Sequence, residues 1–280
     1  MVKVKYMGEY NYIPSIPAAV IVAIIFGIAS IAHTWQMVRN RTWFFIPFIF
    51  GGIFEIVGYA ARAISSNQYP NYTIGPLAVQ AVFIMVAPSL LAATIYMTLG
   101  RIMIVTDGEK YSLIRRAWLT KIFVVGDIIS FLAQAGGAGM LVQASTAANG
   151  EKIIKIGLIV QIIFLSLFLV TSVSFHIRLS RNGSAYAAQV PWKKHQIALY
   201  ITSAVVFVRS IFRFIEYDLG SSGPLLQHEY WSYIFDACLM VIAMFVFIVV
   251  YPGEIGKLLQ DRKKGDDRME LLDEGYVHYP

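Results

Sequence analysis

The sequence predicts an all-α, polytopic membrane protein built as a seven-transmembrane helix bundle. The 280-residue chain is 57% hydrophobic and only 14% charged, against about 25% charged residues in a typical soluble domain. Seven apolar runs are each long enough to cross a bilayer. The short alternating segments of a β-barrel are missing, so helices are the remaining way to satisfy the backbone in lipid.

The seven predicted spans occupy residues 14–38, 43–64, 74–104, 118–143, 153–178, 195–217 and 230–251. The first has full span length, so we interpret it as a helix rather than as a cleaved signal peptide. No polar segment between spans is long enough to fold alone, which predicts one transmembrane domain at 14–251. Residues 1–13 form an N-terminal segment on the outer side. Residues 252–280 are charged and lack apolar periodicity, which predicts a flexible cytoplasmic tail.

The distribution of lysine and arginine predicts the orientation of the bundle. One set of connecting segments, together with the tail, carries sixteen basic residues, and the opposite set carries five. Because basic residues concentrate in cytoplasmic loops, we expect the N-terminus outside and the C-terminus in the cytoplasm. This orientation puts the sequon Asn71-Tyr72-Thr73 on the outer side and makes Asn71 a candidate glycosylation site. It also explains the formal charge of +6 without nucleic acid as a partner.

Ionisable and polar side chains inside the spans are the candidate functional residues. A charged side chain at the centre of a membrane helix costs about 2.5–3.5 kcal/mol on the insertion scale, so such residues usually face the protein interior and mark a functional pathway. We expect a polar, charge-paired pocket that opens toward the outer leaflet and narrows near Glu55 and Asp127. The candidate substrate-binding residues are Glu55, Arg62, Gln80, Asp127, Gln134, Arg209, Arg213, Glu216 and Asp236.

A purely structural role is the alternative for each of these residues. Arg213 and Glu216 are three positions apart and could form an ion pair that only holds two helices together. Glu55 and Arg62 are too far apart along one helix to pair directly, so each needs a partner elsewhere. Holding a bundle together does not require so many ionisable groups, each with a desolvation cost. This favours a functional role for the set as a whole.

Signatures of enzymes are missing from the sequence. The five histidines are scattered and show no His-x-x-x-His spacing, so we expect no metal site. The sequence has no P-loop, Gly-x-Gly-x-x-Gly or Gly-x-Ser-x-Gly motif, which argues against ATP-driven transport, dinucleotide enzymes and serine hydrolases. We therefore expect no enzyme activity, no catalytic residue and no cofactor. Two alternatives stay open: a haem held by His33 and His176, and metal-free acid–base chemistry by carboxylates.

Four sequence blocks are specific when they occur together. They are E-x-x-GY-x-x-R at 55–62, AP-x-LLAA-x-IYM at 87–97, GD-x-x-S-x-x-x-QA-GG at 126–137 and VRS-x-FR-x-x-E at 208–216. In this order they resemble the fungal lipid-translocating exporter family, also called RTA-like or resistance-to-aminocholesterol proteins. The resemblance runs from Tyr10 to Ile255. Tyr251 departs from the pattern, because a histidine is expected before Pro252-Gly253.

The resemblance implies seven transmembrane helices and a plasma-membrane or endomembrane location, of which we expect the plasma membrane. It implies transport of amphipathic lipids, including sphingoid long-chain bases, and resistance to toxic amphiphiles. One branch of the family is linked to porphyrin and haem traffic. The expected partners are therefore membrane lipids and an amphipathic lipid substrate. Under this interpretation Glu55 and Asp127 contact a lipid amine, and Arg209 and Arg213 engage its hydroxyls or a phosphate.

A function of a different class also stays open. A seven-helix lipid sensor could signal through the basic inner loops and the tail. The predicted topology is that of G-protein-coupled receptors. The sequence nevertheless lacks the Asp-Arg-Tyr block after the third span and the Asn-Pro-x-x-Tyr block in the seventh, which argues against that superfamily.

Overall fold

A computed structural model of the chain describes residues 14–69, 72–141, 145–183, 187, 190–219 and 224–258. These residues form seven long apolar helices and no β-strand, as the sequence predicts. The helices are α1 (Ile16–Asn40), α2 (Ile46–Ser66), α3 (Ile74–Val105), α4 (Arg116–Met140), α5 (Ala147–Asn182), α6 (Trp192–Leu219) and α7 (Glu229–Leu258). Each is long and apolar enough to cross a membrane. The protein is therefore an integral membrane protein.

Two helix ends differ from the predicted boundaries. α5 begins at Ala147 rather than at residue 153. The regular α-helical part of α7 ends at Val249, and a further helical turn that reaches Leu258 follows a break at residues 250–252. Ile255 and Leu258, which lie in the segment predicted as the tail, pack against the apolar core. The N-terminal segment 1–13, the glycosylation candidate Asn71 and the rest of the tail, 259–280, lie outside the described residues.

Local sequence signals explain the reversal between α1 and α2. The Ser15 hydroxyl caps α1 by accepting a hydrogen bond from the Ala18 amide at 3.4 Å. The helix ends at Arg41, whose φ of 52° is left-handed and stops the helical hydrogen-bond ladder. A 3₁₀ turn, Trp43–Phe45, then leads into α2. The two helices are thereby joined by a connection of only a few residues.

The helices pack in chain order around a ring that α7 closes by packing against α1. α3 also contacts α6, so it occupies the centre of the bundle. Large apolar side chains such as Ile31, Leu132 and Phe245 are more than 60% exposed on the outside. An apolar outer surface of this kind suits contact with lipid tails.

α1 and α7 run parallel, and their starts define what we name the N-terminal end of the bundle. The Ser15 amide donates to Glu229 at 2.8 Å where both helices start. Near their other ends, the Gln36 side chain donates to the Ile248 carbonyl at 3.1 Å. Arg62 of α2, Arg213 and Glu216 of α6 and Glu229 of α7 lie toward the N-terminal end, whereas Lys194 of α6 pairs with Glu254 of α7 at the opposite end. Its assignment to the outer side of the membrane stays a prediction from the basic residues.

Candidate functional site

Two arginines of α6 converge on one carboxylate of α7. Asp236 is 2% exposed, and each of its oxygens forms a salt bridge with a different arginine, Arg209 on one side and Arg213 on the other. Arg213 also donates to Glu216 at 2.9 Å. These four residues, which we name the ionic quartet, carry two positive and two negative charges. The structure thus joins four of the candidate residues into one electrically neutral group.

The ionic quartet extends the simple ion pair that the sequence suggested. Arg213 and Glu216 do pair at a three-residue spacing, but Arg213 bonds to α7 as well. Asp236 lies in a π-helical segment, Tyr233–Cys238, within α7. Such segments often mark functional sites, and their i→i+5 turns re-aim the side chains that they carry. The position of Asp236 between two arginines is a consequence of this local geometry together with the packing of α6 on α7.

The second partner of Arg209 is a main-chain carbonyl of α3 that a proline leaves without its helical donor. Pro88 lies inside the helix and has no amide hydrogen, so the carbonyl of Ile84, four residues earlier, lacks its usual helical donor. The Arg209 guanidinium donates to this carbonyl at 2.8 Å. Gly58 of α2 allows the close approach at this level, because a Cβ atom there would lie 2.5 Å from the Ile84 side chain. α2, α3 and α6 are therefore tied together at one depth.

A second ion pair lies nearer the N-terminal end of the bundle. Arg62 of α2 donates to Glu229 of α7 at 3.2 Å, and the guanidinium lies 5.2 Å from the centre of the Tyr233 ring. The Tyr233 hydroxyl donates to the same Glu229 oxygen at 3.1 Å. The other Glu229 oxygen accepts the Ser15 amide. Glu229 is therefore the partner of Arg62, and its contacts connect α1, α2 and α7 at this end.

Glu55 of α2 is a carboxyl group that takes part in none of these ion pairs. It is 1% exposed, and among the described residues neither of its oxygens has a hydrogen-bond partner. The charged groups that act on it are Arg209 and Arg213 of α6 and Asp236 of α7. Because the ionic quartet is already neutral, an ionised Glu55 adds an uncompensated negative charge. Buried polar groups in proteins nearly always have partners, so this exception requires an explanation.

Tyr59 follows Glu55 by one helical turn and shares its face of α2. Its hydroxyl is buried and, like Glu55, has no hydrogen-bond partner within the described part of the chain. The ring is held between Phe26 of α1 at 5.8 Å and Tyr233 of α7 at 6.1 Å between centroids. Glu55 and Tyr59 thus form an unsatisfied acceptor and an unsatisfied hydroxyl on one helix face. We name them the Glu55–Tyr59 site.

The structure keeps Asp127 apart from this site. Asp127 of α4 is 4% exposed and lies near the hydroxyl of Tyr96 on α3. One Asp127 oxygen and the Tyr96 hydroxyl have no hydrogen-bond partner among the described residues. Tyr96 itself packs against Phe123 and Phe168 of α4 and α5. α4 packs mainly against α3 and α5, whereas Glu55 lies on α2. The two carboxyl groups expected to share one amine are therefore in different surroundings.

Gln134 belongs to the interface between α4 and α5. Its amide donates to Ser130 at 2.7 Å and to Gln161 at 3.0 Å, and Ser130 donates to the Gly157 carbonyl at 2.6 Å. Buried amides of this kind hold membrane helices together. The last of the candidate residues, Gln80, is partly buried on α3, one turn before Ile84.

A concave surface lies at the opposite end of the bundle. A cavity of about 300 Å³ lies between the ends of α1 and α7, far from the N-terminal end, and Trp35, Arg39 and Tyr251 are among its lining residues. Where the outer pocket was predicted, the side chains of the ionic quartet form salt bridges between α6 and α7. Arg213 is the most exposed of them, with 24% of its side chain accessible.

The two histidines considered as haem ligands contact different helices. His33 of α1 lies 3.1 Å from the Met244 carbonyl of α7, with its ring against Phe48. His176 of α5 lies 3.1 Å from the Tyr200 hydroxyl of α6 and stacks on that ring. Each imidazole therefore has protein partners of its own.

Comparison with known proteins places these residues in a family. The sequence model described as RTA1 like protein matches residues 48–258, which include every charged residue of the ionic quartet and the Glu55–Tyr59 site. The chain belongs to this RTA1-like family. No solved structure shows significant similarity to it.

Three curated relatives of this RTA1-like chain come from Saccharomyces cerevisiae. Protein RTM1 is 37% identical over 69% of this chain and 63% of its own length. Protoporphyrin uptake protein 1 is 38% identical over 65% of this chain and 60% of its own length. Sphingoid long-chain base transporter RSB1 is 25% identical over 76% of this chain and 65% of its own length. The chain thus spans less than two thirds of each of these relatives.

Three groups of the candidate site in this RTA1-like chain are not among the residues that the sequence selected. Tyr59 shares a helix face with Glu55, and Glu229 shares one with Asp236. This helical periodicity is the sequence signal that points to them. The Ile84 carbonyl is part of the main chain, yet Pro88 four residues later identifies it as an acceptor without a helical donor. Their partners come from distant parts of the sequence, and only the packing of the helices shows them.

Proposed function

We propose that this protein binds amphipathic lipids with a cationic headgroup and translocates them across the membrane, with sphingoid long-chain bases as the substrate class. Family membership supports a lipid, because the relative RSB1 is named as a transporter of such bases. The observation that carries the proposal is Glu55, a buried carboxyl group with no hydrogen-bond partner among the described residues. We further propose the plasma membrane as its location.

The chemistry of the Glu55–Tyr59 site matches a sphingoid headgroup. Such a headgroup carries one ammonium cation and neighbouring hydroxyl groups on a long apolar tail. The ammonium would supply the positive charge that Glu55 lacks, and the attraction between opposite charges is strong where water is excluded. A lipid hydroxyl would satisfy Tyr59. The tail would remain between the apolar helices or in the bilayer.

The arginines act as positioning groups in this proposal rather than as ligands. Arg209 is engaged by Asp236 and the Ile84 carbonyl, and Arg213 by Asp236 and Glu216. They fix the electrostatic surroundings of Glu55 without being free for a phosphate. Asp127 remains a candidate for a separate contact with the lipid during its passage. This assignment refines the expectation that both carboxyl groups hold the amine together.

Reconstitution in liposomes tests the proposed function. We expect a fluorescent sphingoid base to cross from one leaflet to the other faster in liposomes with the purified protein than in empty ones. Glu55→Gln should remove at least 90% of this acceleration. Glu109→Gln is the matched control, because Glu109 is half exposed and pairs with Arg116 outside the site. Binding of the base without any translocation would favour the lipid sensor and overturn the proposal.

Porphyrin uptake is a second candidate, because a relative at 38% identity is named protoporphyrin uptake protein 1. A porphyrin carries carboxylates and would need cations to hold them. The two buried arginines of α6 would have to exchange Asp236 or Glu216 for the porphyrin. The same liposomes loaded with protoporphyrin discriminate the candidates. Translocation of protoporphyrin, with no acceleration of the sphingoid base, would favour uptake of porphyrin.

A further inference from the structure

We propose that Glu55 exchanges its bound lipid cation for a proton, so that the protein performs a one-for-one exchange of protons against amphipathic amines. The inference rests on the proposed function and adds the driving force for transport. It follows from the state of the site after the lipid has left. An ionised Glu55 would then be a buried charge with no described donor, which is strongly unfavourable in a membrane interior.

The surroundings of Glu55 offer no other way to remove this charge. From α6 it faces Arg209 and Arg213, from α7 it faces Asp236, and Tyr59 lies one turn along α2. Within the described residues, α1 and α3 contribute no charged side chain to these surroundings. Both arginines are already balanced by Asp236 and Glu216. The site therefore carries one negative charge more than it can compensate.

A proton can replace the lipid cation without changing the charge of the site. As the ammonium headgroup departs intact, one Glu55 oxygen takes a proton from a hydronium ion: an O–H bond of the hydronium ion breaks, an O–H bond to Glu55 forms, and a water molecule is left. No covalent bond of the lipid breaks, and no electrons are transferred. The resulting carboxylic acid is neutral, so the site keeps the net charge that it had with the lipid bound. Rebinding of an ammonium lipid displaces the proton, so that one proton moves for each cation moved in the opposite direction.

A permanently charged substrate provides the test. An unmethylated base can shed its proton and cross a bilayer alone, whereas an N-trimethylated sphingoid base cannot. Liposomes containing the full chain would be prepared with a difference of one pH unit across the membrane, with the membrane potential clamped by potassium and valinomycin. We expect the labelled trimethylated base to accumulate about tenfold on the acidic side, because one pH unit corresponds to a factor of ten in a one-for-one exchange.

The outcomes separate the exchange from the proposed function. Translocation of the unmethylated base, with no pH-driven accumulation of the trimethylated base, overturns the exchange and leaves the transport proposal standing. No acceleration of either base overturns both. Glu55→Gln should abolish the accumulation, and Glu109→Gln should retain it. Accumulation that persists in Glu55→Gln would assign the proton to another residue and contradict the inference.

Discussion

Arg209 donates a hydrogen bond to the main-chain carbonyl of Ile84, which Pro88 leaves without its helical donor. This contact links a helix interruption in α3 to the charge cluster of α6 and α7. It places a cation where an unpaired carbonyl would otherwise be buried in the membrane interior, at a cost of several kcal/mol. The proline, the arginine and the aspartate therefore depend on one another.

Replacing the proline tests this dependence. Pro88→Ala restores an amide that competes with Arg209 for the Ile84 carbonyl. We expect a folded protein that is more stable, because proline is about 3 kcal/mol less favourable than alanine inside a helix, but with several-fold slower lipid translocation. Pro17→Ala is the control, since Pro17 lies in the first turn of α1, where no helical hydrogen bond is lost. Translocation at the wild-type rate in Pro88→Ala would contradict the role given to this contact.

The two carboxylates of the ionic quartet should differ in their effect on stability. Asp236→Asn leaves both arginines without their shared partner, and breaking a buried ion pair costs about 3–5 kcal/mol. Glu216→Gln removes one charged contact of Arg213, which keeps its salt bridge with Asp236, so we expect a smaller loss. Thermal unfolding of the detergent-solubilised variants measures the difference. Equal losses would mean that Asp236 does not bridge the two arginines.

The contact between α4 and α5 should be sensitive to a single methyl group. A Cβ atom on Gly137 would lie 2.6 Å from the Gly150 carbonyl oxygen, whereas nothing lies within 4 Å of the corresponding position on Gly136. We expect Gly137→Ala to lower the free energy of unfolding by about 1–3 kcal/mol, as overpacking typically does. Gly136→Ala should have little effect on thermal unfolding. Similar melting temperatures for the two variants would argue against this close approach of backbones.

Replacing Glu55 should impair lipid translocation without lowering the stability of the protein. Because the carboxyl group has no hydrogen-bond partner in the described structure, Glu55→Gln removes a buried ionisable group and breaks no hydrogen bond. We expect an unchanged or higher melting temperature together with a loss of translocation. Residues that limit stability for the sake of function commonly behave in this way. A large drop in melting temperature would indicate that Glu55 is structural.

The sequence predicts the helices far better than it predicts their contacts. Apolar run length alone locates seven spans, and the spacing of Arg213 and Glu216 anticipates their pair. The pair of Arg62 with Glu229 joins residues 167 positions apart, so no local pattern reveals it. The π-helical segment around Asp236 has no sequence signature. That Glu55 is unsatisfied follows only when the partners of every other charge are known.

The central claim is that Glu55 holds the lipid amine, and the binding affinity for a sphingoid base tests it directly. Purified protein, Glu55→Gln and Glu109→Gln would each be titrated with a radiolabelled base at one detergent concentration. Replacing one member of a charge-assisted contact costs about 1.5–3 kcal/mol, or roughly 10-fold or more in Kd. We expect this loss in Glu55→Gln and wild-type affinity in Glu109→Gln. Equal affinity of the wild type and a folded Glu55→Gln would contradict the claim that Glu55 holds the lipid amine.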